Sequence, residues 1–321
     1  MKNILFTTYH EAFLNKGGGE YELLEVAFNL RKSGFIADIY SPFSRDINFY
    51  NTVIHFSTQE TGLKLLEHLR KYDLKIILWP NTWLPGGISF EQRSIINRQV
   101  KLCDAIVFKS NSEQAVFKDI TTFDNIDILH IPACVDPCFA VKTPDSLFRG
   151  TFKIQDYILW IGIIEPYKNQ LFVINSLKEL STPVVFIGNY RDEAYYKACR
   201  RAAPDHFLFL DPMPHKSDMI RAAIQECSLY IEPTLEPAGK SILEAAVSGA
   251  NILTSDSDWA REHFGDAAVY VDPANASSIV EGVRQGLEKP RDPELASRLC
   301  ARHCLPAVLQ PLCEYLSRER G

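Results

Sequence analysis

Two carboxylates, an ammonium and a hydroxyl lie close together in the stretch Glu236, Pro237, Ala238, Gly239, Lys240, Ser241, Ile242, Leu243, Glu244. Gly239 to Ser248 has helical periodicity, with Ile242, Leu243, Ala246 and Val247 on one apolar stripe. Lys240, Ser241, Glu244 and Ser248 share another face, and Gly249 is a natural stop. A helix start directs unpaired N–H groups and a positive dipole end at its ligand, which suits phosphate. Glu236 falls in the loop before that start, and Glu244 about 7 Å further along the axis at ~1.5 Å per residue. A diphosphate on the helix tip would set one sugar beside Glu236 and a ribose beside Glu244, because carboxylates accept hydrogen bonds from hydroxyls. Taken alone, a core helix with a solvated face accounts for the same spacing.

The elements that must position these residues read as two tandem α/β halves. Strands are expected over 4–8, 36–40, 52–56, 74–79, 105–108 and 126–131, and again over 157–161, 183–187, 206–210, 227–231, 252–254 and 268–271. Helical patterns alternate with them, as in doubly wound parallel sheets. The expected division is 1–150, 151–300 and a helical segment 301–321 that packs back on the first half, with a linker over 140–152. A cleft between two such domains is a natural ligand site.

In these folds functional residues cluster at the C-terminal ends of strands. His55, Asn81, Thr82 and Trp83 occupy such places and are candidates for acceptor or sugar contacts, although a strand-end histidine is also a common structural hydrogen-bonder. Gly17, Gly18 and Gly19 open the first helix and let backbone approach a phosphate or sugar, but their spacing is not a dinucleotide fingerprint.

A net charge of −6 argues against a general nucleic-acid binder. Eight cysteines in 321 residues are not a disulfide framework, and together with the absence of a long apolar leader they point to reducing cytoplasm. Cys300, His303 and Cys304 lack an apparent fourth ligand, and Asp256, Ser257 and Asp258 read as a turn and helix cap; no metal site is expected.

In this order the residues resemble GT-B glycosyltransferases, specifically the large retaining group with an E-x7-E signature (family 4-like, group 1). The resemblance is carried by Gly17–Gly19, by Ile131-Pro132-Ala133-Cys134-Val135-Asp136, by Gly162 with Lys168, by Phe186 to Gly188, and by Glu236 with Glu244. It implies two Rossmann-like domains facing across a cleft. It also implies that Lys168 neutralises the donor diphosphate, Glu236 meets the transferred sugar and Glu244 holds the ribose. Gly239, Lys240 and Ser241 would present the helix start, Gly18 and Gly19 would face the same phosphates, and the loop with Met213 and Pro214 would rim the nucleobase.

The chain departs from the family at several positions. Ile163 replaces an arginine common five residues before the lysine, Lys240 stands where an uncharged residue is usual, and Pro237 and Ala238 replace a Gly-Phe pair. The histidine usual at the end of the fourth strand is missing, with Asn81 nearby.

The expected function is retaining, metal-independent sugar transfer from a nucleotide-sugar, as substrate rather than cofactor, to a glycan or lipid-linked acceptor in surface polysaccharide synthesis. Peripheral association at the inner face of the membrane belongs to that expectation, and nucleic acid does not. A non-catalytic nucleotide- or glycan-binding module of a larger assembly is the alternative.

Overall fold

The computed structural model describes residues 2–14, 16–81 and 87–318. The chain forms two compact units, one of 1–134 with 303–321, the other of 135–302. Among the described residues, the first unit holds a six-stranded sheet of β1 (Asn3–Thr7), β2 (Ile36–Ile39), β3 (Thr52–Phe56), β4 (Lys75–Trp79), β5 (Ala105–Phe108) and β6 (Asp127–His130). The second holds β7 (Ile158–Ile161), β8 (Val184–Ile187), β9 (Leu208–Leu210), β10 (Leu229–Glu232), β11 (Ile252–Ser255) and β12 (Val269–Val271). Apolar runs bounded by turn residues mark most of these strands, as a parallel sheet covered on both faces requires, while the edge strand β6 is largely exposed.

Strand order is β2-β1-β3-β4-β5-β6 in the first sheet and β12-β11-β10-β7-β8-β9 in the second, and the neighbouring strands pair in parallel. The order therefore reverses between β1 and β3, and again between β7 and β10. A crevice opens at such a reversal, outside the carboxyl ends of the two strands.

In the first unit, Ile4, Phe6, Ile54, Ile77 and Trp79 pack on one face of the sheet with Leu23, Val26 and Leu30 of the helix Gly18–Lys32. Leu305, Val308, Leu309, Leu312, Tyr315 and Leu316 complete that layer. Leu5, Val53, Ile76, Leu78 and Ile106 fill the opposite face. In the second unit, Ile158, Trp160, Phe186, Leu229, Ile231 and Leu253 form the corresponding core.

The expected linker over 140–152 is not one. Residues 137–140 form a 3-10 turn and Leu147–Phe152 a short helix, flanked by Ser146 and Lys153 in left-handed conformations. Backbone N–H groups of Phe148 and Arg149 donate to the Glu226 carboxylate at 3.2 and 2.8 Å, which ties this segment to the second unit.

Candidate functional site

Sequence and topology bring two loops to the reversal point of the second sheet. The first leaves β7 at Ile161 and makes a single 3-10 turn, Pro166–Lys168. The second leaves β10 at Glu232 and enters the helix Lys240–Val247. Asn169 joins them: its Nδ2 donates to the carbonyls of Pro233 at 3.2 Å and Pro273 at 2.8 Å, and the Leu235 N–H donates to the Tyr167 carbonyl at 3.1 Å. At the neighbouring strand end Gly188 has to be glycine, since an added Cβ would sit 1.9 Å from the Gly162 carbonyl oxygen.

This pinning sets Lys168 among carboxylates. Its Nζ lies 2.7 Å from Glu236 Oε1 and 3.8 Å from Glu232 Oε1. Burial works against the ammonium, yet Glu232 and Glu236 outweigh it and raise the Lys168 pKa. Glu232 is 2% exposed. Its Oε1 accepts the Gly239 N–H at 3.0 Å and its Oε2 the Ser241 hydroxyl at 2.9 Å. Burial raises the Glu232 pKa despite Lys168 and these donors.

One turn further along the helix, Glu244 keeps 7% of its side chain exposed. Its Oε1 is 2.9 Å from His215 Nε2 and 3.7 Å from Lys240 Nζ. The loop with half-buried Met213 and exposed Pro214 thus reaches Glu244 through His215. Lys216 in the same loop holds Asp136 at 2.7 Å. Burial opposes that carboxylate's charge, but Lys216 and the Cys138 N–H outweigh it and bring its pKa down to about 2.

Lys168, Glu236, Gly239, Lys240, Ser241 and Glu244 therefore gather in one unit. Lys240 points its charge toward Glu244, whereas the ammonium beside Glu236 is that of Lys168. Sequence reading missed Glu232, His215 and Asn169. Glu232 ends an apolar strand, and no motif marks it out.

In the first unit, Gly18 starts the helix Gly18–Lys32, and Gly19 and Asn81 are brought together: a Cβ on Gly19 would lie 1.9 Å from Asn81 Nδ2. Lys109 Nζ donates to Asn81 Oδ1 and lies 3.5 Å from Glu22 Oε2. Lys109 and Glu22, both buried, were missed by the sequence reading. Thr82 and Trp83 lie outside the described residues.

His55 is a correction. It is 0% exposed, with Nδ1 2.8 Å from Thr7 Oγ1 on the adjacent strand. The helix Glu60–Leu69 covers it so closely that a Cβ on Gly62 would come within 2.6 Å of Nε2. A ring sealed in this way cannot meet a sugar. Burial lowers its pKa to about 4.

Three of the residues weighed for a metal have protein partners. His303 Nδ1 contacts the Ala133 carbonyl at 2.9 Å, Ser257 caps the helix Asp258–Phe264, and Asp256 pairs with Arg261 at 2.6 Å.

Residues 147–301 match the family described as glycosyl transferases group 1. The match covers most of the second unit and none of the first. No curated protein matches the chain. Among solved structures it is similar to sucrose-phosphate synthase (tll1590) from Thermosynechococcus elongatus, with TM-score 0.81, 11% identity and 98% of each chain covered. It is also similar to a glycosyltransferase from Rickettsia africae ESF-5, with TM-score 0.76, 15% identity and 98% of each chain covered. A third is the pneumococcal O-GlcNAc transferase GtfA in complex with UDP and GlcNAc, with TM-score 0.59, 12% identity, and 83% of this chain and 56% of that one covered. The architecture is that of the GT-B glycosyltransferases, two Rossmann-like units of parallel sheet. The group 1 match falls within the second unit, and the neighbours share the fold.

Proposed function

We propose that the chain transfers a sugar, with retention of anomeric configuration, from a nucleotide-sugar to a hydroxyl of a glycan or lipid-linked acceptor in surface polysaccharide synthesis. The observation that carries this is Lys168, held beside Glu236 at the switch point of the second sheet, with Glu244 one turn along the adjoining helix. In this reading the ammonium and the N-terminus of the helix Lys240–Val247 receive the diphosphate. Glu236 accepts hydrogen bonds from the transferred sugar, Glu244 from the ribose, and the loop of Met213 and Pro214 borders the base. Gly18, Gly19, Asn81 and Trp83 are the first unit's candidates for donor phosphate and acceptor.

The anomeric carbon–phosphate oxygen bond breaks as the acceptor oxygen bonds to the same carbon, and the acceptor proton passes to the departing phosphate. Charge grows on that leaving group, so a fixed ammonium lowers the barrier there. Positive charge grows on the sugar ring, beside the Glu236 carboxylate. No step calls for a metal. The reaction belongs in the cytoplasm, with peripheral attachment at the inner membrane face where the acceptor is lipid-linked.

The test is transfer or donor hydrolysis across a panel of nucleotide-sugars, with and without chelator, and NMR of the product anomer. Lys168→Ala, Glu236→Ala and Glu244→Ala are each expected to lower kcat/KM by roughly a hundredfold or more, on the scale of a lost charge-stabilising group. Full activity in all three refutes the assignment, and an inverted product refutes retention. A non-catalytic nucleotide-binding module is the second reading. The absence of a side-chain cation at Ile163 favours it, and nucleotide binding without turnover across the panel would establish it.

A further inference from the structure

Glu232 holds the partners that a donor phosphate would need. Its two oxygens face the Lys168 ammonium at 3.8 Å, the Gly239 N–H at 3.0 Å and the Ser241 hydroxyl at 2.9 Å. An ammonium, a helix-start N–H and a hydroxyl are also the groups that receive a phosphate oxygen. Each of these three partners is a donor or a cation and favours the carboxylate, against the burial that disfavours its charge. Glu236 adds a second carboxylate at 2.7 Å from the same ammonium, so two negative charges surround one positive charge before any ligand arrives.

We propose that Glu232 is a positioning residue, a built-in counter-anion of the donor site that competes with the nucleotide diphosphate for Lys168 and for the start of the helix Lys240–Val247. This rests on the donor-site reading above. With the site empty, Glu232 keeps Lys168 and the Gly239–Ser241 turn in place. A diphosphate binds by drawing the ammonium and the helix-start donors away from the carboxylate, against its like charge. The same competition weakens the grip on the nucleoside diphosphate left after transfer and so favours its release.

Damage to a merely structural residue weakens binding, whereas removal of a competing anion strengthens it, so the sign of the effect separates the two. Calorimetric titration with UDP and with GDP is compared for wild type, Glu232→Gln, Glu232→Leu and Lys168→Ala, each checked for an intact thermal transition. The glutamine keeps the shape and removes the charge, and the leucine covers the case in which the amide does not fold. Loss of one like charge a few ångströms from the diphosphate should tighten binding by roughly three- to thirtyfold in either Glu232 variant. Lys168→Ala should weaken it by at least about tenfold.

If Lys168→Ala weakens binding and neither Glu232 variant strengthens it, the counter-anion is refuted and the donor site stands. If Lys168→Ala leaves binding unchanged, or the wild type binds neither nucleotide, the donor-site reading falls and the counter-anion with it. Loss of the folded state in both Glu232 variants makes the carboxylate structural and overturns the proposal.

Discussion

Two histidines separate what residue type tells from what surroundings decide. His55 sits at a strand end, where a chemical role is plausible from sequence, yet its ring is sealed between Thr7 and the helix over Gly62. His215 carries no motif, yet its Nε2 lies 2.9 Å from Glu244 Oε1. The buried ring has a consequence for stability. Its folded pKa is lowered from 6.5 to about 4 by desolvation, so between those values the unfolded chain binds a proton that the folded chain refuses. Stability from this group is complete above pH 6.5 and falls as pH drops toward 4, by about 3 kcal/mol at 1.36 kcal/mol per pKa unit. Urea unfolding of wild type and His55→Gln at several pH values measures the difference. The wild type should lose more stability than the variant between pH 6.5 and 4, and parallel curves would show that His55 does not titrate in this way.

At the scale of elements, the loops after β7 and β10 matter more than the helix they serve. Asn169 combines a left-handed backbone, φ 69°, with two side-chain bonds, one to Pro233 in the loop after β10 and one to Pro273 beyond β12. The two roles can be separated. Asn169→Gly keeps the backbone conformation and removes both bonds, whereas Asn169→Ala also places a methyl where a left-handed φ is costly. The glycine variant should lose about 1–3 kcal/mol from the broken bonds, and the alanine variant about 1 kcal/mol more. Both should bind nucleotide more weakly, because Lys168 is the preceding residue. Denaturant midpoints and nucleotide titrations check this, and equal stability of the two variants would remove the backbone contribution.

The strands around these loops were legible in sequence because each is an apolar run closed by a turn residue, and Gly249, at φ 81°, does stop the site helix. The segment 140–152 was not, since its helix is under two turns long, too short to show periodicity, and Ser146 at its start is left-handed and makes no side-chain cap bond. Glu232 was hidden for a different reason. Side chains alternate along a strand, but the last residue can turn a charged group into the crevice while its neighbours stay in the core. Such a residue becomes visible only once the topology has set which strands border the reversal.

On the scale of the whole molecule, chain order and core membership disagree at the C-terminus. Residues 303–321 follow the second unit in sequence but belong to the first. Val308, Leu309, Leu312 and Leu316 are buried in the layer that holds Ile4, Phe6 and Trp79, and the Tyr315 hydroxyl donates to Asp127 Oδ2 at 2.8 Å. Among the described residues, the core of the second unit contains none from this segment. Removal of residues 304–321 should therefore act on one unit alone. At about 2 kcal/mol for each large apolar side chain returned to water, the loss reaches the 5–15 kcal/mol that hold a typical domain together. Hydrogen exchange read by mass spectrometry resolves the two units. In the truncated chain, amides of β1, β3 and β4 should lose their protection, while those of β7, β8 and β10 keep it, because local opening follows core boundaries rather than sequence neighbours. Protection that persists in β1 would mean the C-terminal layer is dispensable. Protection lost from β7 as well would mean that the two units unfold as one.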